Sequence, residues 1–177
     1  MTNLHQITAA NRASWNSIHP ARPGQPAAFF ADGGSALSPE EVAAAGDVTG
    51  RRVLQLACSC GDTALSWAAL GASVTGIDIS EVAIDLARTK SADAGIPVDF
   101  RCADMFDLPA DLRDLDLIYL SRHVRRLGPL SHPPPRHLSH PRQPECFTWN
   151  HAAYHQVGLS TYRCCFAGAE IPLTERF

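Results

Sequence analysis

The chain has 177 residues, enough for one well-buried domain and too few for two comfortable ones. Apolar residues make up 45% and charged residues 19%, as in ordinary globular proteins, and a net charge of −3 gives no reason to expect nucleic acid or an anionic membrane as partner. No stretch approaches the ~20 apolar residues of a membrane span, and residues 1–6 lack the basic and apolar parts of a secretion signal, so a cytoplasmic location is expected.

Residues 4–18 place Leu4, Ile7, Ala10, Trp15 and Ile18 at a loosely helical spacing. Residues 19–37 hold three prolines and three glycines and read as a loop. Ser38-Pro39-Glu40-Glu41 then opens a helix. Serine is its N-cap, proline suits the first turn, Glu41 completes a capping box, and Gly46 ends it.

From residue 52 the pattern alternates. Arg52–Leu56 reads as a strand, 63–70 as a helix closed by Gly71, and Ser73–Asp78 as a second strand. Ser80 caps a second helix that Gly95 stops, and short strands follow at 98–102 and 115–120. Strands alternating with helices predict an α/β fold with a Rossmann-like parallel sheet. The unbroken apolar run Leu117–Leu120 predicts burial on both faces.

The segment from 54 to 80 carries the strongest functional signal. After the first strand comes a turn of small residues, Ala57-Cys58-Ser59-Cys60-Gly61, where backbone N–H groups approach a ligand closely at a helix N-terminus. The second strand ends on Asp78, placed to accept both hydroxyls of a ribose. Together these predict a site for an adenosine-containing cofactor. The alternative reading of Asp78, less favoured, is a cap for the helix that starts beside Ser80.

Six cysteines stand at 58, 60, 102, 146, 164 and 165. Three fall in apolar strand-like or turn segments and read as packing residues. Cys58-Ser59-Cys60 lacks the C-x-x-C spacing of a metal knuckle, so no metal is expected.

Beyond Ser121 the composition changes. Between Asp116 and Glu145 there is no acidic residue, while His123, His132, His137 and His140 stand among five arginines and six prolines. No helical or strand period survives that proline density. The tract reads as a metal- or anion-binding tail or, preferably, as irregular sequence without function, such as out-of-frame translation of a GC-rich gene would give.

Residues 50–120 resemble a class I S-adenosylmethionine-dependent methyltransferase. The segments that carry the likeness are Gly71-Ala72-Ser73-Val74-Thr75-Gly76-Ile77-Asp78-Ile79-Ser80, Arg101-Cys102-Ala103-Asp104-Met105-Phe106-Asp107-Leu108-Pro109 and Asp116-Leu117-Ile118-Tyr119. Asn11-Arg12-Ala13-Ser14-Trp15-Asn16, ahead of the Leu54-Gln55-Leu56-Ala57-Cys58 turn, is similar to a bacterial small-molecule group of that family. Phe147-Thr148-Trp149-Asn150-His151 and Ala167-Gly168-Ala169-Glu170-Ile171 resemble its later segments.

The resemblance implies S-adenosyl-L-methionine as cofactor and a small-molecule methyl acceptor. Backbone at Ala57, Ser59 and Gly61 would line the methionine part. Asp78 would accept the ribose hydroxyls, and Ile79 would pack on one adenine face. Asp104, with Asp107 as competitor, would accept the adenine amino group, and the Met105 N–H would face the ring nitrogen. Leu120 or Ser121 would sit near the reacting methyl, and Trp15 would belong to a cap over the pocket. His151 is a candidate substrate-side group; no catalytic acid or base is named.

Two departures stand out. The family's acid in the first strand is Gln55, and two glycines of its G-x-G-x-G turn are Ala57 and Ser59. The expected organisation is a cap over 1–37, a cofactor-binding core over 38–120, the irregular tract 121–145 and a remnant of the C-terminal strands over 146–177. The sheet is expected to be incomplete after the fourth strand, leaving that apolar strand at an open edge. The alternative function is an inactive or inert domain from a disrupted gene. An NAD-binding half-domain fits the strands but lacks G-x-G-x-x-G spacing.

Overall fold

The computed structural model describes residues 4–120 and three later strands, 145–148, 164–166 and 169–171. In chain order the elements are α1 (Leu4–Ile18), a 3-10 turn (His19–Ala21), α2 (Ala27–Ala31), α3 (Pro39–Ala45), β1 (Arg52–Leu56), α4 (Asp62–Ala69) and β2 (Ser73–Asp78). There follow α5 (Glu81–Ala94), β3 (Asp99–Cys102), β4 (Leu117–Leu120), β5 (Glu145–Thr148), β6 (Cys164–Phe166) and β7 (Ala169–Ile171). The tract 121–144 and His151 lie outside the described residues.

Five strands form a parallel sheet in the order β3-β2-β1-β4-β5. The order reverses at β1, whose neighbours are β2 on one side and β4 on the other. In sheets of this order the ligand crevice lies beyond the C-terminal ends of the strands at the switch point, here β1 and β4. β6 and β7 pair antiparallel as a separate two-stranded sheet.

Alternation along the strands divides the core in two. Val53, Leu117 and Tyr119 face α4 and α5, packing with Ala64, Leu65, Trp67, Ile84 and Ala87. Leu54, Leu56, Ile77, Ile118 and Leu120 face the other way, under Leu108, Leu112 and Leu115 of the connection before β4. All four residues of β4 are buried, as a strand covered on both faces must be.

The capping box of α3 forms as its sequence dictates. Glu41 N–H donates to Ser38 Oγ at 3.2 Å, and Ser38 N–H donates to Glu41 Oε2 at 2.7 Å. The second oxygen of the same carboxylate accepts the Tyr119 hydroxyl at 2.7 Å. One side chain thus starts a helix and fastens it to the central sheet.

Two expectations are corrected. Residues 19–37 are not all loop: the 3-10 turn and α2 lie within them, because Phe30 is buried against the core and holds a turn of helix despite the neighbouring prolines and glycines. Nor does β4 stand at an open edge. β5 pairs with it in parallel from Leu117↔Glu145 to Leu120↔Thr148, satisfying backbone groups that an edge strand would expose.

Candidate functional site

The turn after β1 is built from both sides. Cys58 N–H donates to Ile77 O at 2.8 Å, extending the β1–β2 ladder past the end of β1. Ser59 N–H donates to Asp78 Oδ2 at 2.8 Å. Ala57 (φ 49), Ser59 (φ 52) and Gly61 (φ 83) are all left-handed, so every second residue turns its backbone the same way. For alanine and serine that conformation is strained, and strain of this kind collects at ligand sites. Gly61 is required for a further reason: a Cβ there would lie 2.6 Å from the Phe100 ring.

Asp78 is 8% exposed and occupies the end of β2. Its Oδ1 accepts Ser80 N–H at 2.9 Å, so it supports the start of α5 as well as the turn. Ser80 itself is the N-cap, accepting Ala83 N–H at 3.1 Å. Each carboxylate oxygen carries two lone-pair sites, so one remains on each for a ligand hydroxyl.

The other expected residues gather at the same edge. Ile79 is half-buried beside Asp78. Ala103 N–H donates to Asp78 O at 2.9 Å, which brings Asp104 and Met105 alongside the end of β2. Asp104 Oδ1 accepts Phe106 N–H at 2.9 Å and shapes that loop, while Asp107 is exposed. Leu120 ends β4 directly beside Leu56, within the lower core with Ala57 and Met105.

Gln55 provides the test of fit. It is 1% exposed, Nε2 bonds to the Thr63 hydroxyl, and Oε1 is buried without a hydrogen-bond partner. An unpartnered buried carbonyl is rare and costly, and near the end of β1 it offers an acceptor where the resemblance places the cofactor's ammonium. The chain's own residues therefore suit the group. Gln55 keeps a hydrogen-bond acceptor at the position of the missing acid but not its negative charge.

Trp15 is half-buried and stacks on His19, with ring centroids 5.5 Å apart. Nothing in the sequence singles out His19, yet it is only 5% exposed and its Nδ1 lies 3.4 Å from Ser59 Oγ and 3.5 Å from Cys60 Sγ. Burial pushes its pKa down, partly opposed by the negative charge of Asp78. Asn16 ties the same cap to α5: its Oδ1 accepts Ser80 Oγ–H at 2.6 Å and its Nδ2 donates to Glu81 Oε2 at 2.7 Å.

Cys58 and Cys60 are buried, and burial raises both thiols above their ordinary pKa. Cys102, in contrast, is exposed rather than packed. Among the described residues no three of His, Cys, Asp and Glu gather as a metal set, and no helix is long and apolar enough to cross a membrane.

Residues 53–132 match the family model described as a methyltransferase domain. A ubiquinone biosynthesis O-methyltransferase of Xanthomonas axonopodis pv. citri is 39% identical over 113 residues, covering 62% of this chain and 43% of that protein. One from Chromobacterium violaceum is 38% identical over 65 residues, covering 37% of this chain and 28% of that protein. The chain thus spans less than half the length of the curated relatives it matches.

A structure described as converting a disulfide bond into a thioacetal group during echinomycin biosynthesis is similar at TM-score 0.50 and 31% identity, covering 62% of this chain and 47% of that one. Phosphoethanolamine N-methyltransferase 1 of Haemonchus contortus, solved with phosphoethanolamine and S-adenosylhomocysteine, shares the fold at TM-score 0.50 and 15% identity, covering 68% of this chain and 26% of that one.

Proposed function

We propose that this chain is a class I S-adenosylmethionine-dependent methyltransferase that holds S-adenosylmethionine at the β1/β4 switch point and directs its methyl group to a small-molecule acceptor. The observation that carries this reading is the Asp78 carboxylate, buried at the end of β2 and bonded to the Ser59 N–H of the strained turn. It leaves one lone-pair site on each oxygen for vicinal hydroxyls.

When bound, the donor supplies a methyl group on an already activated sulfonium. The residues of this chain then have to bind, orient and exclude water. The left-handed turn from Ala57 to Gly61 would let backbone approach the methionine part, and Gln55 Oε1 would be the acceptor for its ammonium. Half-buried Ile79 offers an adenine face, with Asp104 and the Met105 N–H at its polar edge. Leu120, at the end of β4, would lie near the transferring methyl, and Trp15 would belong to a cap over the site. Positioning of this kind suffices for in-line displacement without a dedicated base.

Calorimetry with S-adenosylhomocysteine and, separately, NAD tests the proposal. Binding of the former alone is the expected result. Heat with NAD alone, or with neither, overturns it, the second outcome favouring an inert domain.

A further inference from the structure

We propose that His19 is a positioning residue: its imidazole clamps the turn after β1 in the ligand-accepting shape, compensating for the glycines that turn lacks. The inference rests on the cofactor reading above and adds the residue that makes its glycine-poor turn workable.

Three observations converge on this ring. First, the turn needs a clamp. Ala57 and Ser59 hold φ values of 49 and 52, which glycine adopts freely and other L-residues resist. From below, Ile77 O and the Asp78 carboxylate hold the N–H groups of Cys58 and Ser59. Second, side chains of the turn are held from above. Ser59 Oγ and Cys60 Sγ lie 3.4 and 3.5 Å from the same His19 Nδ1, and Cys60 S–H donates to Arg22 O at 3.6 Å. A neutral ring with its proton on Nε2 accepts from the Ser59 hydroxyl, while Cys60, its one S–H given to Arg22 O, packs its sulfur against the ring.

Third, the ring itself cannot swing away. It is 5% exposed and stacked on Trp15. Its segment is fastened on both sides. Asn16 bonds to Ser80 and Glu81 at the start of α5. Lys90 Nζ donates to Pro23 O at 2.7 Å and pairs with Asp62, which in turn accepts Gln25 N–H at 2.8 Å. A packing role alone gives no reason for the Ser59 hydroxyl to meet an acceptor nitrogen on a buried ring.

The test uses His19→Ala, His19→Asn, Ser59→Gly and the His19→Ala/Ser59→Gly double variant of the full chain. Without ligand, amide hydrogen exchange over 57–61 and iodoacetamide labelling of Cys60, followed by peptide mass spectrometry, should each rise about tenfold in His19→Ala, the ratio expected for ~1.4 kcal/mol of lost clamping. His19→Asn, which retains an acceptor, should restore most of the protection.

With S-adenosylhomocysteine, His19→Ala should weaken binding about tenfold, and that loss should shrink to about twofold in the Ser59→Gly background. A residue that merely packs would lower overall stability equally in both backgrounds and show no such coupling. Unchanged exchange and labelling in His19→Ala, or equal binding losses with and without the Ser59→Gly change, would overturn the clamp. Absence of binding by the unaltered chain overturns the cofactor reading, while the ligand-free measurements still decide the clamp.

Discussion

The backbone N–H of Ser59 donates to the carboxylate of Asp78 at 2.8 Å, so the turn after β1 and the tip of β2 are joined without any ligand. Asp78 therefore has a structural duty beside the proposed ribose contact, and the two separate experimentally. Its removal takes a charged acceptor from both Ser59 N–H and Ser80 N–H. Asp78→Ala should cost the ligand-free protein about 2 kcal/mol in urea denaturation. It should also abolish thermal stabilisation by S-adenosylhomocysteine, which at a hundred times its Kd adds about 2.7 kcal/mol in the unaltered chain. A full ligand shift surviving in the variant removes the ribose contact.

Gln55 predicts a trade between stability and binding. Its Oε1 is a buried acceptor with no partner, and such a group costs about 1–3 kcal/mol. Gln55→Leu should therefore leave stability unchanged or raise it by about 1 kcal/mol while weakening S-adenosylhomocysteine. Parallel calorimetry and urea titration measure both. A variant that binds as tightly as the parent shows that the carbonyl faces no ligand.

Gly61 marks the tightest point of the turn. With φ at 83 and the Phe100 ring 2.6 Å from where a Cβ would stand, Gly61→Ala meets both a backbone and a steric penalty. A loss of about 2 kcal/mol or more is expected, read from the midpoint of chemical unfolding. A loss below about 0.5 kcal/mol would mean the turn relaxes freely, contrary to its close packing.

The Asp62–Lys90 pair should respond asymmetrically. Lys90 is 7% exposed in its side chain and Asp62 23%, so removing the carboxylate strands the more deeply buried charge. Asp62→Ala is expected to cost about 3 kcal/mol, because it leaves the buried ammonium only the neutral Pro23 O, and Lys90→Ala less, because the more exposed Asp62 keeps the Gln25 N–H and some water. Equal losses, or the reverse order, would contradict this account of the pair.

His19 gives a pH signature. Its pKa is lowered in the fold by burial, against an attraction to Asp78, so between its folded value and 6.5 the unfolded chain binds more protons. Stability must then fall as pH drops below about 6.5, and level off once the folded ring is also protonated. His19→Gln should flatten that part of the stability-versus-pH curve. An identical slope in the variant would assign the dependence to other groups.

What the sequence determined by itself is local or periodic. The capping box of Ser38 and Glu41 was legible because its partners are three residues apart. The limits of β1 and β2 were legible because buried parallel strands read as apolar runs cut off by turn residues. Asp78 at a strand end and the small-residue turn marked the candidate site for the same reason. Tertiary structure alone decided the rest. His19 meets Ser59 across forty residues, and no spacing rule announces such a contact. Phe30 stabilises a short helix among prolines and glycines only because a core exists to receive it. β5 becomes a strand because β4 offers it a partner, a condition that a four-residue segment after a proline-rich tract does not reveal in its own side chains. Backbone propensity and hydrophobic period act within a few residues of the chain, whereas burial and pairing depend on which distant surfaces the finished sheet leaves to be covered.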